Sequence, residues 1–217
     1  MLKYAKLVEK RKFSTGDLLL FSHKDNCTSC CNCLFTCFTD LIKCCTNSKY
    51  SHAAMIIEKE HARMLNPKLD QEEYYVLQSS YESFPDSENN ELKLGVEIVS
   101  FNKLFSTYEG KIFWREIIFD RNNVFLARLI DAHSVVHNRS YDVNPYDWIR
   151  AAFGIHLGPR HRLDTFWCSA LVSYMYTRFG ILNEDLDWTL VSPKMLCSKS
   201  KDPKFKNCII HDEVRVL

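Results

Sequence analysis

The chain has 217 residues, of which 46% are hydrophobic and 25% are charged, and its formal net charge is +1. This length and composition suit one globular domain with a complete core, so we expect a single domain over residues 1–217. Because the charge is close to neutral and no long basic block occurs, nucleic acid is not expected as a partner.

The N-terminal segment is rich in charge and lacks the apolar stretch of a secretory signal. No apolar run reaches the roughly 18 residues that a membrane helix needs. We therefore expect a cytoplasmic protein whose cysteines are reduced thiols or metal ligands rather than disulfides.

Apolar and β-branched runs predict the strands of the first part of the chain, over 18–21, 50–58, 74–80, 96–99 and 111–119. The first of them follows a turn at Gly16-Asp17. A Cys-rich loop is predicted at 27–33 with a short helix at 34–45, and a polar loop is predicted at 84–90.

Helical patterns dominate the later part of the chain. One helix is predicted to begin near Asp120 or Asn122, which are good N-cap types, and another near Pro145. The clearest helix begins at about Asp164 or Thr165 and ends at Phe179, before Gly180. Strands followed by helices indicate an α+β fold.

Cys168 lies at the start of that last helix and is the candidate nucleophile. A helix N-terminus carries a partial positive charge and free N–H groups, which favour the reactive thiolate and can hold an oxyanion. A small buried cysteine without a chemical task would also account for the residue.

A nucleophilic cysteine needs a base, and His52 is the best placed of eight histidines because it interrupts an apolar strand. A hydrogen-bonded core histidine is the alternative explanation, and His161, in a polar loop, is the second choice as base. His133 and His137 have the i, i+4 spacing of metal ligands. They lack the acidic residue of H-E-x-x-H, so ordinary helix-face histidines are the favoured explanation.

Several short blocks occur in order along the chain and together resemble a known family. These blocks are Gly16-Asp17-Leu18-Leu19-Leu20, Tyr50-Ser51-His52-Ala53-Ala54-Met55, Tyr141-Asp142 and Trp167-Cys168-Ser169-Ala170-Leu171-Val172, with a Pro-containing turn at Ser192-Pro193. They look like the permuted branch of the NlpC-type papain-like hydrolases. That branch includes bacterial and poxviral amidases and, more distantly, lecithin:retinol acyltransferase relatives.

The resemblance implies a circularly permuted papain-like fold, in which a small antiparallel sheet or half-barrel packs on helices and the nucleophile lies at a helix N-terminus. The chain would then be one such domain with a Cys-rich insertion at about 27–45. Cys168 would be the nucleophile and His52 the base, and the histidine precedes the cysteine as permutation requires.

The family also places a polar residue, commonly Glu or His, on the next strand to orient the imidazole, and Gln78 occupies that place here. An amide can fix the tautomer of the ring but does not stabilise imidazolium as a carboxylate does. Glu82 is the alternative orienting residue. Tyr50 is a candidate oxyanion or substrate contact, whereas Asp17 and Asp142 are expected to cap turns.

Seven cysteines fall within 27–45, and three interpretations of this cluster stay open. Cys27, Cys30, Cys33 and Cys37 offer four thiolates to zinc, although the compressed spacing is unlike that of a zinc ribbon. Palmitoylation with peripheral membrane contact is the second interpretation. The third is a loop without a task.

These features predict a thiol hydrolase or acyltransferase that cleaves an amide, ester or thioester through a Cys-acyl intermediate. The expected substrates are a peptide, a lipidated protein or an acyl lipid, and no cofactor is expected. The alternative is a catalytically inactive interaction or membrane-associated module on the same fold, for which Gln78 is the best support.

Overall fold

The computed structural model describes residues 12–23, 48–81, 84–142 and 162–217. The strands are β1 Leu18–His23, β2 His52–Glu58, β3 Tyr74–Tyr81, β4 Leu94–Ser100, β5 Gly110–Arg115, β6 Ile117–Ile118, β7 Ser140–Tyr141, β8 Thr165–Phe166, β9 Ile209–Ile210 and β10 Val214–Arg215. The helices are α1 Lys59–Leu65, α2 Phe101–Thr107, α3 Asn123–Val136 and α4 Cys168–Phe179, and short 3-10 turns form at Trp188–Leu190 and Pro193–Leu196. The fold is α+β.

Eight strands form one mixed sheet in the order β10-β5-β1-β2-β3-β4-β7-β8. The pairs from β10 to β7 are antiparallel, and β7 pairs with β8 in parallel. β6 and β9 form a separate two-stranded ribbon. This order puts β2, β3 and β4, which carry the candidate polar residues, side by side in the middle of the sheet.

Both faces of the central strands are covered, because successive side chains point to opposite faces. On β2, Ala53 and Met55 belong to the apolar cluster that includes α3 and α4, whereas Ala54 and Ile56 belong to the cluster that includes α2. Burial on two faces explains why Leu18–Phe21 forms a continuous apolar run instead of an alternating one.

Helices α3 and α4 begin in different ways. Asn122 caps α3, since its side chain accepts hydrogen bonds from the backbone N–H groups of Val124 and Phe125. The N-cap of α4 is Trp167, which makes no side-chain capping bond. The side chain of Trp167 therefore accepts no hydrogen bond from the first backbone N–H groups of α4. At the other end Gly180 adopts the left-handed conformation with φ 80°, as a C-terminal glycine does.

Most predicted elements are present, with two corrections. The helix expected from Asp164 or Thr165 begins only at Cys168, because Thr165–Phe166 is drawn into the sheet as β8. The strand expected over 111–119 is interrupted at Glu116, beyond which β6 leaves for the second sheet. The helices α1 and α2 were not predicted. The helices expected at 34–45 and near Pro145 lie outside the described residues.

Within the described ranges, no helix combines the length and the apolarity that crossing a bilayer requires.

Candidate active site

The first residue of α4 is Cys168, which is only 5% exposed. Hydrogen bonds on either side hold it in place. The Ser79 hydroxyl donates to the carbonyl oxygen of Phe166 at 2.6 Å, and the Ser169 hydroxyl donates to the carbonyl oxygen of Val191 at 2.6 Å. These bonds tie the start of α4 to β3 on one side and to the segment after α4 on the other.

The thiol lies where β2 and β3 separate. β2 pairs with β3 only from Met55 onward, whereas it pairs with β1 from His52. The backbone N–H of Ala53 is thus free of β3 and interacts with the Cys168 sulfur. Because Ala53 directly follows His52, the thiol lies beside the strand end that carries the candidate base. The small side chain of Ala53 allows this approach.

His52, Gln78 and Glu97 form a continuous chain of hydrogen bonds across β2, β3 and β4. Nε2 of His52 is 2.9 Å from Oε1 of Gln78, and Nε2 of Gln78 donates to Oε1 of Glu97 at 2.8 Å. Gln78 and Glu97 are direct partners in the β3–β4 register. The amide nitrogen of Gln78 faces Glu97, so the amide oxygen of Gln78 must accept a hydrogen bond from His52. This assigns the imidazole proton to Nε2 of His52, and the lone pair on Nδ1 of His52 stays available as a base.

The placement predicted for Gln78 therefore agrees with its geometry. The side chain is 3% exposed, so it is not a solvated strand position. It contacts the imidazole as an orienting residue would. The amide oxygen that accepts from the ring fixes the tautomer of the imidazole.

The imidazole and the thiol are not joined to each other. His52 shares its face of the sheet with Gln78, and its ring centroid lies 5.0 Å from that of Phe21, which belongs to the cluster containing α2. Cys168 comes from α4, which packs on the opposite face, but its sulfur lies at the gap between β2 and β3, against the backbone N–H of Ala53. Between these two described residues there is no hydrogen bond. Catalytic hydrogen bonds are often long in a protein without substrate and tighten on binding.

Burial sets the charge of both groups. It lowers the pKa of His52 to about 4, against a smaller opposing effect of the Gln78 hydrogen bond. Burial raises the pKa of the Cys168 thiol, although the backbone N–H groups of Ala53, Ser169 and Cys168 favour the thiolate. The start of the helix favours the thiolate as expected, but desolvation outweighs this effect and the net pKa of the thiol is raised. Near neutral pH the pair consists of a neutral thiol and a neutral imidazole.

Tyr50 occupies a different environment from the one predicted. Its ring is 2% exposed and its hydroxyl donates to Oε1 of Glu213 at 2.7 Å. That proton is committed to the C-terminal segment, and no contact with Cys168 supports an oxyanion role. Burial raises the pKa of the Tyr141 phenol, and the charge of Cys168 adds to this effect.

The remaining candidates are accounted for as follows. Asp17 caps its turn by accepting from the backbone N–H of Ser14, as predicted. Glu82, His161 and the zinc alternative of Cys27, Cys30, Cys33 and Cys37 lie outside the described residues.

Glu97 was missed in the sequence. Its side chain is 1% exposed, and burial raises its pKa to about 8, so that it is protonated near neutral pH. The available signal was an acidic residue inside the apolar run Gly95–Val99, where an unpaired charge is costly. Which residue it contacts depends on strand register, which the local pattern does not give.

No protein-family model matches the sequence, and no curated protein matches it. Among solved structures, the chain is similar to the metalloprotein YiiX from Escherichia coli O157:H7, described by the term DUF1105. The superposition has a TM-score of 0.44 at 15% identity and covers 77% of this chain. It covers 66% of that chain, so the chain spans a little less than two thirds of that neighbour's length. The function of this chain has to be derived from its own residues.

Proposed function

We propose that the protein is a thiol hydrolase or acyltransferase on a circularly permuted papain-like fold, with Cys168 as nucleophile and His52 as base. The observation that carries the proposal is the His52–Gln78 hydrogen bond at 2.9 Å, made from the strand end that the Cys168 thiol adjoins. It leaves Nδ1 of His52 as a proton acceptor. The order and types of these residues also match the family resemblance.

The reaction follows from the charge state of the pair. As the sulfur of Cys168 attacks a carbonyl carbon, His52 takes the thiol proton, so that no free thiolate is needed beforehand. The oxyanion that forms accepts hydrogen bonds from N–H groups at the start of α4. The imidazolium then protonates the leaving amine, alcohol or thiol, and the Cys-acyl intermediate is resolved by water or by another acceptor.

The substrate class is an amide, ester or thioester of a peptide, a lipidated protein or an acyl lipid. Peripheral membrane contact through the Cys-rich segment belongs to the same proposal. Mass measurement of the intact protein checks this part: a covalent acyl mass supports lipidation of the cluster, whereas a zinc that is lost on denaturation and is absent when Cys27, Cys30, Cys33 and Cys37 are replaced by serine supports the metal alternative.

A catalytically inactive module is the second candidate function. Two observations favour it: the thiol is only 5% exposed, and its pKa is raised. Both candidates share the fold, so only chemistry at Cys168 separates them.

Labelling with a fatty-acyl or peptidyl acyloxymethyl ketone provides that test. We expect covalent labelling of the wild type at Cys168, identified by peptide mass mapping, and none in Cys168→Ala. Because this probe reacts through the activated sulfur, His52→Ala is expected to slow labelling by about 10²-fold or more. The matched control is Cys197→Ala, since Cys197 is also free and only 7% exposed, and its labelling should equal that of the wild type.

Labelling that persists unchanged in Cys168→Ala would overturn the proposal. A folded wild type that labels at Cys168 no faster than its His52→Ala variant would support the inactive module instead.

The pH dependence of Cys168 alkylation tests the neutral pair independently. Since burial raises the thiol pKa, alkylation by iodoacetamide should still be increasing above the ordinary thiol pKa of about 8.5. The apparent pKa should change little in His52→Ala, because a neutral imidazole does not stabilise the thiolate. An apparent pKa below 7 that rises when His52 is removed would instead establish a preformed thiolate–imidazolium pair.

A further inference from the structure

The side chains of Glu88, His133 and His137 converge away from the thiol site. His133 and His137 lie one turn apart at the C-terminal end of α3, and Glu88 comes from the loop between β3 and β4. One ligand atom from each residue lies within 4.8 Å of the other two. The sequence pattern indicated the two histidines but no acidic residue at the spacing of a metal site. The fold brings Glu88 to them from a loop that is distant along the chain.

Two of the three side chains are buried in the protein. Glu88 is 5% exposed and His133 is 7% exposed. Nε2 of His133 is buried and has no hydrogen-bond partner among the described residues. It faces Oε2 of Glu88 at 3.4 Å, which is longer than a good hydrogen bond. A buried ring nitrogen that makes no hydrogen bond is costly. Because this nitrogen points toward a carboxylate, a cation bound between the two atoms would satisfy both.

The spacing fits such a ligand. Oε2 of Glu88 is 3.1 Å from Nδ1 of His137, with which it shares a hydrogen bond, and 3.4 Å from Nε2 of His133. With Zn–N and Zn–O bonds of about 2.0–2.1 Å, two ligand atoms of a tetrahedral zinc are about 3.3 Å apart. Both separations lie close to that value. Two imidazoles and one carboxylate are a ligand set that zinc prefers.

We propose that Glu88, His133 and His137 form a site for a divalent metal ion of the zinc class, with three protein ligands and a fourth position open to water. Access for the ion and the water comes from the solvent side. The His137 side chain is 36% exposed and forms the solvent-facing side of the group.

The charges around the group suit a cation. Burial raises the pKa of Glu88, but His133 and His137 outweigh it, with help from Lys93, and keep the carboxylate ionised. Lys93 itself is engaged by Asp86 and donates to the side chain of Asn138 at 2.7 Å. The competing explanation is that ion pairs of His133 and His137 with Glu88 hold the three side chains together without a metal.

Metal binding at this site would link the end of α3 to the loop between β3 and β4. The backbone N–H of Ser87 donates to the carbonyl oxygen of Ile98 at 2.7 Å, and the Asp86 side chain accepts from the N–H of Ile98 at 3.3 Å. The metal would thus link α3 to this loop, which is itself hydrogen-bonded to β4, and binding to the folded state alone raises the melting temperature.

Zinc binding by the metal-free full chain tests the site, with competition against a chromophoric chelator as the readout. The protein used for this test has serine in place of all seven cysteines within 27–45, so that no thiolate of the cluster competes for zinc; the replaced residues are Cys27, Cys30, Cys31, Cys33, Cys37, Cys44 and Cys45. We expect one equivalent of Zn²⁺ and a rise in melting temperature on binding. His137→Gln and Glu88→Gln should each weaken binding roughly 100-fold or more, since even outer-sphere partners are worth about 10–100-fold.

A second His–Glu pair provides the matched control. Nε2 of His211 lies 3.9 Å from Oε2 of Glu116, and no third ligand accompanies them among the described residues. His211→Gln should therefore leave zinc affinity and the zinc-induced melting shift unchanged. His137 is partly exposed, and an unchanged melting temperature of metal-free His137→Gln shows that the variant folds. Binding that is absent from the parent protein, or that survives His137→Gln undiminished, overturns the proposal. Cys168→Ala should bind zinc like its parent, so the result is independent of the acyl chemistry.

Discussion

Asp17→Ala is expected to lower the free energy of unfolding by about 3–5 kcal/mol, measured by urea denaturation. The Asp17 carboxylate is fully buried beneath the turn before β1. It accepts from Nε1 of Trp114 at 2.8 Å and from the backbone N–H groups of Ser14 at 3.0 Å and Ile117 at 3.1 Å. Removing it leaves three donors without their acceptor, and each unsatisfied buried donor costs about 1–3 kcal/mol.

The loss extends to a partly buried cation, Arg121. Nη2 of Arg121 is 3.7 Å from Oδ1 of Asp17, and this guanidinium also binds the backbone of Thr15 and Ile117. The control is Asp70→Ala, whose carboxylate pairs with Lys59 at 3.2 Å but has a side chain 52% exposed. A surface pair of this kind is worth at most about 1 kcal/mol. Equal losses in the two variants would show that Asp17 is not the centre of the network.

Glu97→Gln is expected to change how stability depends on pH. Burial raises the pKa of Glu97 in the folded protein to about 8, whereas an unfolded glutamate titrates near 4.3. Between these values the folded state holds one proton more than the unfolded state. The contribution of Glu97 to stability is thus fully present below about pH 4 and is lost as the pH rises to about 8, by up to about 1.4 kcal/mol per pH unit.

This pH dependence is tested by measuring the free energy of unfolding of the wild type and of Glu97→Gln from pH 5 to pH 8. The wild type should lose stability relative to the variant with each step upward. His52 acts in the opposite sense, because its lowered pKa makes stability rise between about pH 4 and 6.5, but it is present in both proteins and cancels in the difference. Glu60→Gln, at an exposed carboxylate of α1, provides the correction for the loss of one charge.

A difference that stays constant across this range would mean that Glu97 is ionised throughout. The same variant also tests the hydrogen-bonded chain. A neutral glutamic acid and glutamine both accept from Nε2 of Gln78, so Glu97→Gln should retain Cys168 labelling near pH 6. Glu97→Leu removes the acceptor that orients Gln78 and should slow labelling, and comparing the two separates positioning from bulk stability.

Local pattern was a good guide wherever the cause of the structure is local. The apolar runs around Leu18–Phe21 and Ala53–Ile57 predicted β1 and β2, because both strands are buried on two faces. Asn122 predicted the start of α3, since its capping bonds reach only two and three residues along the chain. The start of α4 was placed too early, because the pairing of Thr165–Phe166 with β7 is a long-range contact.

The sequence by itself determined the candidate pair Cys168 and His52, the helix N-terminus that carries the cysteine, and the strand position of Gln78. Those are properties of residue type and short-range periodicity. Only the tertiary structure decided that Gln78 bonds to Glu97, 19 residues away, and that Glu88 joins His133 and His137. It also decided the charge states, because desolvation depends on what packs around a group. The thiol at a helix N-terminus has a raised pKa for that reason, although its position along the chain alone favours the thiolate.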